Sequence, residues 1–125
     1  MSNPDIGRVG VDRIVHAARH SIAGLKVAFR DEAAFRQECW LAVALTPFAF
    51  WIGRNWVEVT LLVGSLLFVL IVELLNSAIE AAVDRVSLEW HEVSKRAKDL
   101  ASAAVFVALL LTLGIWTTAL WQRLT

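Results

Sequence analysis

Three carboxylates and one amide follow a long apolar run in this sequence. Glu73, Asn76, Glu80 and Asp84, the acidic stripe, lie at positions i, i+3, i+7 and i+11, which share one face of an α-helix. With a rise of about 1.5 Å per residue, Glu73 would lie about 10 Å deeper along that helix than Glu80. Carboxylates on one face repel one another unless a cation lies among them. The acidic stripe therefore predicts a functional cluster in preference to a polar seam that only packs helices together.

Two further polar segments, residues 31–38 and 89–99, flank the apolar runs. Each by itself is typical of solvated charge at a membrane surface. Together with the acidic stripe they supply carboxylates suited to Mg²⁺ and Lys and His donors suited to phosphate. This combination predicts phosphoryl transfer to a lipid hydroxyl, because a carboxylate at membrane depth would accept the hydroxyl proton. Glu73 is the predicted base, and Glu32 and Glu80 are the predicted Mg²⁺ ligands.

The elements that must position these residues are helices in a membrane. Apolar residues make up 58% of the 125 residues and charged residues only 19%, a composition unsuited to a small soluble domain. We predict an all-α membrane protein, a single domain over residues 1–125. An N-terminal amphipathic surface helix would cover about 8–30, and three transmembrane helices about 33–53, 56–85 and 98–121. In the surface helix, apolar residues recur at helical spacing opposite a basic face.

Lysine and arginine placement predicts the orientation. Residues 1–38 hold six of these cations and residues 84–99 hold four, whereas the 53–58 turn and the C-terminal tail hold one each. The positive-inside rule then places the N-terminus and the site in the cytoplasm, and the C-terminus outside, in the periplasm. The zero net charge gives no electrostatic basis for nucleic-acid binding. The one cysteine, Cys39, excludes an internal disulfide framework.

Three motifs give the sequence a recognisable family resemblance. They are EAAFRQE at 32–38, ELLNSAIEAAVDR at 73–85 and H-E-x-S-x-R-A-K-D at 91–99. In this order they resemble the small integral-membrane diacylglycerol kinase of bacteria, from about Arg13 to the end of the chain. The resemblance implies a homotrimer in the bacterial inner membrane, with active sites shared between subunits. It implies transfer of the γ-phosphate of MgATP to diacylglycerol, which gives phosphatidic acid and ADP.

The resemblance also implies site residues. Glu73 would be the general base, with Asn76, Glu38 and Asp84 in support. The nucleotide would contact nine residues: Arg13, His20, Glu32, Glu80, Glu89, Trp90, His91, Lys98 and Asp99. The lipid substrate would contact eight residues: Arg13, Ala33, Ala34, Phe35, Arg36, Gln37, Glu73 and Ser102. Three positions depart from the family pattern: His20 and Trp90 stand where Tyr is frequent, and Ser87 stands where glycine is frequent.

Two other functions fit parts of the pattern. An undecaprenol kinase of the same architecture would share the acidic stripe, from which a preference for one lipid tail cannot be read. A small proton-coupled transporter would also use a glutamate at membrane depth. It would need that glutamate near the middle of the bilayer, however, and here the acids gather at the basic end of the helices. The motifs favour the kinase.

Overall fold

A computed structural model describes residues 9–125, and all four elements in that range are α-helices. They are α1 (Gly10–Asp31), α2 (Ala33–Ile52), α3 (Trp56–Val86) and α4 (Glu92–Leu124). The helical fold class is confirmed. Residue 8, where the sequence predicts the first helix to begin, lies outside the described residues.

One residue separates α1 from α2. Glu32 has extended backbone angles (φ −108°, ψ 105°), and its N–H still donates to the carbonyl oxygen of Ala28 at 2.9 Å. The next helix begins at once, because the N–H of Arg36 donates to the carbonyl oxygen of Glu32 at 3.1 Å. The chain therefore changes direction at a residue predicted to bind metal.

The apolar face of α1 lacks cover from the rest of the described chain. Val11, Ile14, Ile22 and Leu25 expose 77%, 69%, 55% and 47% of their surface. Such a face needs an apolar partner outside the chain, and a membrane surface is one that suits a basic amphipathic helix.

A tight turn joins α2 to α3. Asn55 caps α3 by accepting a hydrogen bond from the N–H of Glu58 at 3.0 Å, and the Glu58 carboxylate accepts one from the N–H of Arg54 at 2.8 Å. At Gly53 a Cβ would lie 2.6 Å from Cγ2 of Val59, so only glycine fits this close approach. Pro47 lies inside α2, where it removes one backbone hydrogen bond.

The helices α3 and α4 form the main interface. One buried cluster, Ala49, Ile52 and Leu62, packs against Ile115 and Trp116, among others. A second cluster lies nearer the acidic stripe and consists of Val69, Val72 and Ala108. These two clusters fix the register of α4 along α3, and with it the residues that face the acidic stripe.

Two helices, α3 and α4, are long and apolar enough to cross a membrane. Only 6% of the most apolar stretch of α4 is buried within the described chain, whereas the core helix of a soluble protein would be mostly buried. By the same criteria α2 is not a candidate span, because Arg36, Gln37 and Glu38 lower the mean hydropathy of its first turns. The helix α4 begins at Glu92, before the predicted start at about residue 98. Its first two turns carry charged residues of the 89–99 segment, which the prediction left outside the transmembrane helix.

Candidate functional site

The acidic stripe lies on α3 as the spacing predicts. Glu73 is 7% exposed and is the one charged side chain among residues 9–125 in the buried class. One turn further on, Nδ2 of Asn76 donates to Oε1 of Glu80 at 3.4 Å. The other amide atom, Oδ1 of Asn76, is buried and has no hydrogen-bond partner among the described residues. A buried polar atom without a partner costs about 1–3 kcal/mol, so this end of α3 is suited to a further ligand.

The helix α2 brings a second carboxylate to Glu73. The carboxyl groups of Glu38 and Glu73 lie near enough for the charge of each to act on the other. Oε2 of Glu38 is buried and lacks a partner within residues 9–125. Glu38 thus lies beside Glu73 on the neighbouring helix, and its supporting role stays a prediction.

The helix α4 faces the shallower part of the acidic stripe with Lys98. Nζ of Lys98 lies 2.6 Å from Oδ1 of Asp84, and it also experiences the charge of Glu80. One turn nearer the N-terminus of α4, Nζ of Lys95 lies 2.6 Å from Oδ2 of Asp99. All four paired side chains remain between 41% and 63% exposed, so solvent screens the pairs and an incoming anion can exchange partners with them.

A cavity of about 290 Å³ lies between the C-terminal end of α3 and the N-terminal end of α4. Its shape depends on two local hydrogen bonds: Oγ of Ser87 accepts from the N–H of Glu89 at 3.0 Å, and Nδ1 of His91 caps α4 by accepting from Val93 at 3.1 Å. Five predicted nucleotide residues line this cavity together: Glu89, Trp90, His91, Lys98 and Asp99. Asp84, Ser87, Ser94 and Lys95 line it as well. The cavity thus combines an exposed indole, two lysines, three carboxylates and a helix N-terminus, which suit a base and phosphates that carry a cation.

The remaining predicted nucleotide residues lie elsewhere in the described chain. Arg13 and His20 are exposed on α1 and do not line the 290 Å³ cavity. Glu32 lines a different cavity, of about 600 Å³, between α1 and α3. Within one chain the structure therefore does not gather all nine residues at one place.

Residues 33–37 hold the junction of α1 and α2 together. Nη1 of Arg36 donates to the carbonyl oxygens of Phe29 and Arg30 at 2.9 and 3.0 Å, which satisfies the C-terminal end of α1. Phe35 is buried at 4% exposure. The other predicted lipid contacts, Ala33, Ala34, Gln37 and Ser102, are exposed on α2 and α4. Arg36 and Phe35 thus have structural contacts that the sequence pattern does not reveal.

An ion pair borders the same junction. Arg30 binds Asp31 through two hydrogen bonds of 2.8 and 3.0 Å. The hydrogen bond from Arg30 lowers the pKa of the Asp31 carboxyl group below its ordinary value. Asp31 therefore stays ionised next to Glu32, with its charge offset by the Arg30 guanidinium.

The donor atoms fit Mg²⁺ bound mainly through a substrate. No group of three or more His, Cys, Asp or Glu side chains in the part of the chain described here is placed to hold a metal ion by itself. Mg²⁺ typically binds one or two carboxylates, several waters and the phosphates of a nucleotide, so a three-residue cage is not required. The Glu80 carboxylate, beside the unpartnered Oδ1 of Asn76, provides oxygen donors of the required kind.

Sequence reasoning missed Lys95 as a cavity residue. A readable signal was present, because Lys95 and Asp99 are separated by four residues and a helix places such residues side by side. It also missed that Glu38 faces Glu73. No pattern within one helix could reveal that contact, because it depends on how α2 packs against α3.

These features together define a small all-helical membrane protein with a buried carboxylate below a polar cavity. Comparison with known families agrees: the sequence profile of prokaryotic diacylglycerol kinase matches residues 19–120. The chain is 52% identical over 118 residues to the diacylglycerol kinase of Pseudomonas aeruginosa, which covers 94% of this chain and 96% of that protein. It is 46% identical over 114 residues to the diacylglycerol kinase of Escherichia coli K12, with 91% and 93% covered. The diacylglycerol kinase of Haemophilus influenzae is also 46% identical, over 107 residues, with 86% and 91% covered. The chain belongs to the prokaryotic diacylglycerol kinase family.

Proposed function

We propose that this diacylglycerol kinase transfers the γ-phosphate of MgATP to the free hydroxyl of diacylglycerol, with Glu73 as general base. The observation that carries this proposal is the burial of Glu73 about two helical turns below Glu80 and Lys98. A lipid hydroxyl at the headgroup level can reach a carboxylate at that depth, whereas a nucleotide in the polar cavity can reach the shallower residues.

The proton of the lipid hydroxyl passes to the Glu73 carboxylate as the oxygen attacks the γ-phosphorus. The bond between that phosphorus and its bridging oxygen breaks, and ADP leaves. Burial keeps water away from Glu73, which favours the lipid hydroxyl over hydrolysis. Glu38, next to Glu73 on the neighbouring helix, would help to hold the Glu73 carboxyl group in orientation.

The nucleotide would lie in the 290 Å³ cavity. Trp90 offers an aromatic face to the base, and it is 77% exposed before any ligand binds. Lys98 and Lys95 would exchange their partners Asp84 and Asp99 for phosphate oxygens. The N-terminus of α4 adds a partial positive charge on the same side.

Mg²⁺ would be held by Glu80 and Glu32 together with the phosphates of ATP. When bound, the ion would offset the negative charge of the transferring group. Glu32 lines the 600 Å³ cavity, and Glu80 lines neither that cavity nor the 290 Å³ one, so a second copy that supplies one of the two carboxylates would bring them together. A homotrimer with shared sites meets this requirement. The unpartnered atoms of Glu38 and Asn76 support the same arrangement, because a neighbouring copy or a substrate can satisfy them.

The membrane arrangement completes the proposal. We place three helices across the bacterial inner membrane, with α2 entering the bilayer after its charged first turns and α1 on the cytoplasmic surface. The exposed apolar face of α1 and the excess of cations at that end support this orientation. The N-terminus and the site would then be cytoplasmic and the C-terminus periplasmic.

The direct test uses purified protein in mixed micelles with Mg²⁺ and radiolabelled ATP. Label transfer to diacylglycerol is compared with transfer to undecaprenol under the same conditions. Label on diacylglycerol is the expected result. Label mainly on undecaprenol would support phosphoryl transfer to a lipid hydroxyl but would overturn diacylglycerol as the substrate. Label on neither lipid, from protein that is folded and assembled, would overturn the reaction itself.

A further inference from the structure

A second polar cavity lies at the opposite end of α3 from the acidic stripe. Its volume is about 330 Å³, and it is lined by Trp51, Gly53, Arg54, Gln122 and Arg123. From Trp56 to Asp84 the helix extends for about 42 Å, at about 1.5 Å per residue. The proposed kinase reaction uses none of the residues that line this cavity.

Two arginines in this cavity are held in place by neighbouring helices. Nη2 of Arg54 donates to the carbonyl oxygen of Gln122 at 2.7 Å, and Nε of Arg123 donates to the carbonyl oxygen of Trp51 at 3.1 Å. The Arg123 guanidinium also lies 5.1 Å from the ring centroid of Trp51. A guanidinium has five N–H donors, so each arginine keeps four for another partner. Neither forms an ion pair with a carboxylate of residues 9–125.

The side chains that line this cavity carry two positive charges and no negative one. The C-terminal ends of α2 and α4 each contribute about −0.5 of a charge, which is less than the two full charges of the guanidinium groups. The Glu58 carboxylate accepts a hydrogen bond from the backbone N–H of Arg54 and does not line the cavity. It also lies in the first turn of α3, where the positive end of the helix dipole offsets it.

We propose that this cavity binds the phosphodiester headgroup of an anionic phospholipid. Planar guanidinium groups bind phosphate oxygens in a bidentate manner, and two arginines already fixed by carbonyls lose little side-chain freedom on binding. Trp51, Trp56 and Trp121 expose 52%, 78% and 71% of their surface at the same end, and exposed indole rings favour the headgroup level of a bilayer. A lipid headgroup is therefore the source of phosphate presented to this cavity. The inference depends on α3 and α4 crossing the membrane, not on the kinase reaction.

The experiment measures lipid preference by native mass spectrometry of the assembled protein released from micelles. Binding of phosphatidylglycerol is compared with that of phosphatidylcholine with the same acyl chains. We expect a preference for phosphatidylglycerol that falls about 30-fold in the double variant Arg54→Gln/Arg123→Gln, because each basic side chain near an anionic surface adds roughly a factor of five. The control variant Arg19→Gln/Arg96→Gln removes the same charge at the opposite end of the helices and should lower the preference less than the cavity variant does.

Further experiments distinguish a lipid from a soluble phosphate compound as the ligand. They also distinguish binding by the two arginines from a purely structural role of these residues. Excess glycerol 3-phosphate in solution should leave the bound phosphatidylglycerol in place, and its displacement would overturn a lipid origin. If the glutamine variant does not fold, Arg54→Lys/Arg123→Lys keeps the charge but loses bidentate geometry, so a smaller fall is expected. A preference unchanged in the folded variants, or absent from the wild type, would overturn the proposal.

Discussion

The two halves of the interface between α3 and α4 differ in whether their polar groups have hydrogen-bond partners. In the half away from the acidic stripe, the Trp116 indole N–H donates to the carbonyl oxygen of Leu62 at 3.2 Å and to Oγ of Ser65 at 3.1 Å. Thr112 donates to the carbonyl oxygens of Ser65 and Ala108 at 3.2 and 2.9 Å. In the other half, Oδ1 of Asn76 is buried without a partner in the described chain, and so is Oε2 of Glu38 on the adjoining helix α2.

This difference separates polar residues that hold helices together from polar residues that remain able to bind a ligand. The Trp116 and Thr112 side chains both donate to atoms of α3 or α4, so their donors are satisfied without a ligand. Glu38, Glu73 and Asn76 form a buried polar group that the chain leaves incomplete. Incomplete satisfaction of buried polar groups is costly, and it is maintained where function requires it.

The largest effect is expected at Glu73. Glu73→Gln should lower turnover by about 10²–10⁴-fold, because an amide cannot accept the proton of the lipid hydroxyl. The control is Glu58→Gln, which makes the same chemical change on the same helix in the half that holds no acidic stripe. It should keep turnover near that of the wild type. Initial rates of label transfer in mixed micelles give the comparison, and equal losses in both variants would contradict it.

Glu80→Gln should act on the nucleotide. Loss of one charged ligand oxygen should raise the KM for MgATP by about 10–100-fold, since a hydrogen bond or ligand contact to a charged group contributes roughly 1.5–3 kcal/mol. Rates measured over a range of MgATP at fixed diacylglycerol give the KM. A normal KM for MgATP with a raised KM for the lipid would show that Glu80 contributes to lipid binding, which would contradict this prediction.

The two lysines of the cavity should differ in effect. Lys98 is 41% exposed and lies near both Asp84 and Glu80, whereas Lys95 is 58% exposed and pairs with Asp99. We therefore expect Lys98→Gln to raise the KM for MgATP by about tenfold or more, and Lys95→Gln by less, because solvent screens it more strongly. A larger effect at Lys95 than at Lys98 would show that phosphate binds nearer the N-terminus of α4.

The smallest effect is expected in the satisfied half. Trp116→Phe keeps the aromatic packing and removes the N–H donor, so the free energy of unfolding should fall by about 1 kcal/mol. Turnover per folded molecule should stay unchanged. Unfolding by a denaturing detergent, followed by fluorescence, measures the first quantity, and label transfer measures the second. A loss of turnover without a loss of stability would connect this half to the reaction after all.

Much of this arrangement is predictable from the sequence because helices have a fixed period. The acidic stripe on α3 follows from spacing alone, and so do the long apolar helices. The cavity at 89–99 gathers the five residues that the resemblance implies for that segment. The contact of Glu38 with Glu73, and the contacts of Arg36 with the end of α1, depend on how separate helices pack. Periodicity within one helix carries no information about those distances.

The central claim is that Glu73 serves the chemical step while the polar cavity binds the nucleotide. Equilibrium binding of a non-hydrolysable MgATP analogue to Glu73→Gln, beside the wild type and Glu80→Gln, tests it most directly. The account predicts wild-type affinity for Glu73→Gln although its turnover is lost, and weakened affinity for Glu80→Gln. Nucleotide affinity that falls in Glu73→Gln as far as turnover does, or turnover that persists in it, would contradict the claim.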